Sequence, residues 1–502
     1  MTKSSFLLIV LLSAVASTFA QTDLTKVTIL HLNDTYQFTP ADGGKRGGLA
    51  RVLTIKKRVL QENPYTLTTL GGDTLSPSVE TRTYRGAQMI DAWNAVGLDY
   101  AVLGNHEFDI KTNELLDRMK GSKFTWLGAN VIDTKTGKTF GGTPQFVIRS
   151  IGGVKVGFIG FLLPETKETS SIEGHISVTD YCETARKLVP EIRALGANVV
   201  IGLTHLFMHQ DKKLSGCADF DLILGGHEHT LLQSSANGTP IFKMWADARE
   251  VGRFDLFIDK KTGNLQSMDW QVIPVTDEIP DDPEFAPVTA KYKELLDQLE
   301  VRVGATSVTL DAFSKSVRTK ETDIGNFIAD AYRKAVDAQV GFVNGGSIRA
   351  DLSYNPGVLT KRDVLSMLPF NNPIVKVEVS GKTLMDILEH SVARSREDSE
   401  PGRFPQVSGI KFTFDANKLP GQRIAHVTVN GKAIESSASY TMATSDFLVS
   451  RSGDGYTMFK DAKILIAADA APKDSEVFEK AIKESPNATI APKVEGRIVR
   501  LN

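Results

Sequence analysis

Cysteine is nearly absent from this 502-residue chain: Cys182 and Cys217 are the only two. They leave room for one disulfide at most, and two readings stand, a bridge formed outside the cytoplasm or two buried thiols. Charge of one sign is also scarce, with 58 basic against 60 acidic residues and a formal net charge of −2. No strong attraction to nucleic-acid polymers or acidic membranes is therefore expected. Long apolar runs are missing after residues 6–12, and the segment Val494–Asn502 has no hydrophobic tail of the anchor type, so no membrane anchor is expected. No internal repeat and no low-complexity stretch is present.

What is present is an ordinary globular mixture, 41% hydrophobic and 24% charged, in a chain long enough for two domains. The first twenty residues read as a signal peptide: Lys3, then Phe6-Leu-Leu-Ile-Val-Leu-Leu12, then small residues ending at Ala20. A periplasmic or extracellular product is expected.

From residue 27 to about 270, apolar strand-like runs alternate with amphipathic helical stretches, the pattern of an α/β domain. Strands are expected at 27–32, 67–70, 100–103, 199–203 and 221–224, and helices at 49–60 and 87–96. Residues 275–284 carry Pro280 and Pro283 among acids and read as a surface connection. Helical character over 287–299 follows, and 306–502 shows a second α/β pattern. The expected division is 1–20 signal peptide, 21–275 first domain, 276–305 linker and 306–502 second domain.

Each of those five strands is followed at once by residues able to bind metal. They are Asn33-Asp34-Thr35-Tyr36, Gly71-Gly72-Asp73, Gly104-Asn105-His106-Glu107-Phe108-Asp109, Thr204-His205 and Gly225-Gly226-His227-Glu228-His229. Loops at the carboxyl ends of strands share one edge of an α/β sheet, so five loops converge on one place. A lone Asp after a strand is usually a cap or turn residue. Four of nine histidines at strand ends, in three clusters, are not explained that way. Asp, Asn and His together suit divalent or trivalent metals.

These motifs, in this order, resemble the calcineurin-type metallophosphoesterases, and Gly104-Asn-His-Glu-Phe-Asp109 resembles the 5′-nucleotidase branch, which includes periplasmic UDP-sugar hydrolases. The resemblance implies an α/β/β/α fold, a β-sandwich flanked by helices, joined through a linker helix to a smaller α/β domain. It implies two divalent metal ions (Zn, Mn, Mg or Co), with Asp73 bridging, Asp34 and His229 on one ion, and Asn105, His205 and His227 on the other. His106 would act at the phosphoryl group, oriented by Asp109. The family shows Asp-x-His at the first loop, whereas this chain has Asp34-Thr35-Tyr36. Three readings of Tyr36 stay open: a phenolate ligand favouring Fe(III), a non-ligand leaving a water in its place, or a packing residue.

In the second half, Glu321–Asp330, Asn344–Arg349, Gly402–Gly409 and Phe447–Tyr456 resemble the 5′-nucleotidase C-terminal domain. By that resemblance Phe404 and Phe447 sandwich the nucleobase, Asp454 binds the ribose and Arg349 clamps phosphate. The interval from Phe447 to Asp454 is one residue longer than in the family. The function implied is a secreted nucleotide phosphohydrolase of nucleotide catabolism, acting on monophosphates and also on UDP-sugars or cyclic nucleotides, and monomeric or weakly oligomeric. The alternatives are a phosphodiesterase or other ester hydrolase on the same metals, or a nucleotide-binding protein whose catalysis Tyr36 has disabled. A hinge near helix 287–299, closing one domain on the other, is expected.

Overall fold

The computed structural model describes residues 23–395 and 401–501, so the signal-peptide expectation for 1–20 lies outside the described residues. In chain order the first half supplies β1 (Leu24–Leu32), α1 (Leu49–Glu62), β2 (Thr66–Leu70), α2 (Ala87–Val96), β3 (Tyr100–Val102), β4 (Thr125–Leu127), β5 (Val147–Ile151) and β6 (Val154–Leu162). It continues with α3 (Tyr181–Ala194), β7 (Val199–His205), α4 (Met208–Ser215), β8 (Leu222–Gly225), β9 (Leu232–Ala236), β10 (Thr239–Lys243), β11 (Glu250–Asp259) and β12 (Leu265–Pro274).

The strands form two six-stranded sheets, in the orders β12-β11-β1-β2-β3-β4 and β9-β10-β8-β7-β6-β5. The period-two alternation of strand side chains decides how these layers stack. Val27 and Ile29 of β1 join Leu67, Val102, Phe158, Val199, Ile201, Leu203 and Leu224 in the core between the sheets. Leu30 and Leu32 point the other way and meet Leu49, Val52, Met89 and Trp93 of α1 and α2. On the far side, Ala185, Leu188, Val189 and Ile192 of α3 belong to a buried cluster with Ile159 and Phe161 of β6. The result is the α/β/β/α sandwich.

His31 puts an imidazole on the same face of β1 as Val27 and Ile29, and burial lowers it to about 4. Its ring bonds Thr69 Oγ1 at 2.9 Å in the same sheet and the Gly225 carbonyl at 3.1 Å in the other. It therefore ties the sheets together directly beneath the loops that follow β2 and β8.

β1, β2 and β3 run parallel, as do β6, β7 and β8, so their carboxyl ends gather at one edge. The loops from the two sheets touch there: a methyl group on Gly226 would collide with the Gly71 carbonyl. Cys182 on α3 and Cys217 just past α4 are bridged, with Cα atoms 5.3 Å apart. That decides between the two readings of the cysteine pair.

After β12 comes α5 (Ala286–Leu299), capped by the short turn Pro283–Phe285. Phe285, Val288 and Tyr292 sink into the first domain's core, so the helix belongs physically to that half. The second half begins at strand 302–306 and is built on a five-stranded sheet. Its order is Pro405–Ser408, Val340–Asn344, Ser439–Ser445, Ile374–Ser380, Lys463–Ile466. Helices Asp323–Ala335 and Asp474–Glu484 contribute to the core on one face. Helix Gly381–Ser391 and a four-stranded sheet contribute to the core on the other. Among the described residues no helix is long and apolar enough to cross a membrane.

Candidate metal centre and cleft

The loops after β1, β2, β3, β7 and β8 meet at the shared edge. Asp34, Asp73, His227 and His229 all adopt positive φ, 48°, 56°, 87° and 50°. Non-glycine residues rarely do so, and each needs surrounding contacts to hold it. Those contacts aim the carboxylates. Asp34 Oδ2 accepts from Asn33 Nδ2 and from the His227 N–H, both at 2.8 Å, which leaves Oδ1 facing inward. Asp73 Oδ1 accepts the His106 N–H at 2.8 Å, which leaves Oδ2. Asn33 is itself fixed by bonds to the Met244 carbonyl at 2.9 Å and the Met244 N–H at 2.6 Å.

Glu107 holds two loops at once. It is fully buried, and its two oxygens accept N–H groups from Gly104 (2.6 Å), Asp73 (3.0 Å), Thr74 (2.7 Å) and Leu75 (3.2 Å). Burial, and then Asp73, push its carboxyl up to about 7.

The free donor atoms fall into two sets that share Asp73 Oδ2. In the first, Tyr36 Oη lies 3.1 Å from Asp34 Oδ1, 3.2 Å from Asp73 Oδ2 and 2.7 Å from His229 Nε2, and His229 Nε2 lies 3.2 Å from Asp34 Oδ1. In the second, His205 Nε2 lies 3.1 Å from Asp73 Oδ2, 3.1 Å from Asn105 Oδ1 and 3.3 Å from His227 Nδ1. Donors bound to one ion at about 2.0–2.2 Å sit roughly 3 Å from one another, a spacing that the second set matches. The ligand atoms of Asp73, His205 and His227 all lie within 4.8 Å of one another. His205 Nδ1 bonds the Gly71 carbonyl at 2.7 Å, which fixes the tautomer that leaves Nε2 as a donor atom. All the expected ligands are thus brought together, and the Tyr36 hydroxyl stands among them.

His106 lies beside this centre on the cleft wall, with Nδ1 2.7 Å from Asp109 Oδ2. Ser76 donates to the same oxygen at 2.9 Å. Burial lowers the His106 imidazole to about 3 and raises the Asp109 carboxyl to about 7. From the second domain Arg349 reaches across, donating to Tyr36 Oη at 3.0 Å with its guanidinium 5.4 Å above the Tyr36 ring. Phe370 packs against both His106 and Arg349, a contact that no motif announced.

A cleft of about 1320 Å³ runs from this centre between the domains. Phe447 and Asp454 line it. Asn344 Nδ2 donates to Asp454 Oδ2 at 2.6 Å, and the Phe447 ring lies over Gly453, where a side chain would collide with it. Phe404 does not line it. The strand Pro405–Ser408 begins immediately after this residue, and its ring turns into the core beside Phe414, with no exposed surface. The expectation of two stacking rings is corrected: Phe404 is not available to a base, and Phe447 alone of the pair lines the cleft. Arg403, the neighbour of Phe404, faces the cleft instead. Phe207, packed edge-on against His227 with ring centroids 4.3 Å apart, is a further cleft residue that the sequence did not single out.

Known proteins agree with this architecture. Residues 27–231 match the family described as calcineurin-like phosphoesterase, and residues 302–461 match the 5′-nucleotidase C-terminal domain. The chain is 30% identical to Protein 5NUC of Lutzomyia longipalpis, over 97% of this chain and 95% of that protein. It is 32% identical to the trifunctional nucleotide phosphoesterase protein YfkN of Bacillus subtilis over 94% of its own length, and spans only 35% of that longer protein. The solved structure of a 5′-nucleotidase precursor from Thermus thermophilus superposes with a TM-score of 0.88 at 27% identity. That match covers 95% of this chain and 100% of the other.

Proposed function

Because the chain belongs to the 5′-nucleotidase family of calcineurin-like phosphoesterases, metal-dependent phosphoester hydrolases, we propose that it releases inorganic phosphate from nucleoside monophosphates. The observation that carries this reading is the position of Asp73 Oδ2, common to two donor sets, on a cleft whose opposite wall bears Phe447 and Asp454. Bound metal ions would supply the Lewis acidity that activates a water and shields phosphoryl charge. Asp34, Tyr36, Asp73 and His229 would hold one ion, and Asp73, Asn105, His205 and His227 the other.

The chain's own groups do the rest. Asp109 anchors His106 through Nδ1, so that Nε2 faces the phosphoryl group and handles the leaving-group proton. Arg349 pairs with the phosphoryl oxygens, Phe447 stacks on the base and Asp454 accepts the ribose hydroxyls. A phosphate-release assay with AMP, UMP and a UDP-sugar, each with and without Mn²⁺, Zn²⁺ or Co²⁺, tests the reading. Metal-dependent release from AMP and UMP is expected, and a metal-loaded protein that releases none from either would refute it. The cleft exceeds the roughly 300–1,000 Å³ of an ordinary ligand pocket. That room supports larger nucleotides such as UDP-sugars as further substrates.

The convergence of Tyr36 Oη with three other donors supports reading Tyr36 as a ligand; because burial and the Asp73 and Asp34 carboxylates push its phenol up, ionising it calls for a strong Lewis acid such as Fe(III). An iron-loaded sample should absorb visible light, and Tyr36→Phe should bleach it. A colourless, fully active iron protein would reject the assignment. Export is proposed from the signal-like residues 1–20 and from the Cys182–Cys217 bridge, which suits an oxidising compartment. N-terminal sequencing of protein recovered from periplasm or medium should begin at Gln21.

A further inference from the structure

Four of the five ligand loops are gripped from behind in pairs, each pair by one buried ionisable group. On the first sheet that group is the Glu107 carboxyl, which accepts four backbone N–H groups from the loops after β2 and β3. On the second sheet it is Lys243, the last residue of β10, with no exposed surface.

The Lys243 ammonium donates to the Leu206 carbonyl, which directly follows His205, and at 2.8 Å to the Gly226 carbonyl, which directly precedes His227. It is 2.8 Å from Asp211 Oδ2 on α4 and also ion-paired with Glu228, the residue between His227 and His229. Glu228 in turn accepts the Met208 N–H at the start of α4. One ammonium therefore spans the loop after β7, the loop after β8 and the helix between them.

A lysine carries three donors and is strongly hydrated, so burying it is costly unless each donor finds an acceptor. Lys243 does not itself line the substrate cleft, although its partner Glu228 does. Its other partners include the backbone atoms that fix where His205 and His227 stand.

We propose that Lys243 is a positioning residue of the metal centre, setting the separation of the His205 loop from the His227–His229 loop. The inference rests on the reading of those histidines as metal ligands, and its test keeps the two apart. Mn²⁺ and Zn²⁺ binding to the full chain is measured by calorimetry for wild type, Lys243→Met, Lys243→Arg and His205→Ala, with thermal unfolding of each metal-free form.

Outer partners of ligands commonly govern affinity by about 10- to 100-fold, so Lys243→Met should bind roughly ten-fold or more weakly. Lys243→Arg, which keeps the charge and its donors, should recover most of that loss. If Lys243→Met does not fold, the double variant Lys243→Met/Glu228→Gln, which relieves one orphaned carboxylate, carries the same measurement. Wild-type metal affinity in either folded variant overturns the inference. Wild-type affinity in His205→Ala would instead overturn the ligand reading.

Discussion

Asp34, Asp73, His227 and His229 hold a backbone conformation that costs about 1 kcal/mol or more at each non-glycine residue. The cost is offset by bonds from Asn33, Glu107 and the His106 N–H, made as soon as the loops fold. At this scale the sequence was legible wherever a residue follows a strand directly, because chain order alone then delivers it to the edge. Asn33 and Glu107 stood in those strand-end motifs, but their role as supports was not legible, nor was Lys243 at all, because their partners lie on other loops and leave no local pattern.

Phe404 failed for a related reason. Its loop signal was real, but the strand starting at Pro405 turns the ring inward. The two phenylalanines should therefore behave oppositely. Phe404→Ala should lower stability by about 3–5 kcal/mol in denaturant unfolding, as a buried-ring deletion does. Phe447→Ala should leave stability near wild type and raise KM for AMP several-fold in steady-state kinetics. A KM effect from both with no loss of stability would restore the two-ring sandwich.

Among the elements, the five ligand-bearing strands and helices α1 and α2 were readable from periodicity to within a few residues, because each is strongly apolar and bounded by turn residues. The outer strands β5, β9 and β12 were not. Their half-exposed surfaces carry mixed residues such as Leu232-Gln-Ser-Ser-Ala236, without a clear apolar alternation. The Cys182–Cys217 bridge joins α3 to the end of α4, the helix whose Asp211 meets Lys243. It closes a span of 35 residues, for which chain entropy gives about 4 kcal/mol. Reduction, or Cys182→Ser with Cys217→Ser, should lower the melting temperature measured by calorimetry by several degrees. An unchanged melting temperature would place that region outside the cooperative unfolding unit.

Across the whole molecule, α5 is packed against the first domain, where Lys291 pairs with Asp91 at 2.6 Å. If the domains close on one another, the hinge expected at the helix near 287–299 or its flanks would lie at a flank, because the helix itself packs on the first domain. Among the contacts across the boundary, Arg82 of the first domain donates to the carbonyls of Leu368 (2.7 Å) and Pro369 (2.9 Å) and to Ser475 Oγ (2.9 Å) of the second. Those carbonyls adjoin Phe370 and thus the wall beside His106. Arg82→Ala should lower kcat/KM for AMP by roughly ten-fold while calorimetric metal affinity stays within about two-fold, as one lost positioning contact predicts. Equal loss of both would mean that Arg82 supports the first domain's fold.

The single bond from Arg349 to Tyr36 has a thermodynamic corollary. It spans the boundary between the half that would hold cations and the half that would hold the nucleoside, so coupling of the two occupancies is expected. Coupling of that kind is reciprocal: whatever factor ion loading applies to nucleotide affinity, nucleotide must return to ion affinity. A non-hydrolysable nucleotide should therefore shift the cation isotherm, and Arg349→Ala should uncouple the two curves.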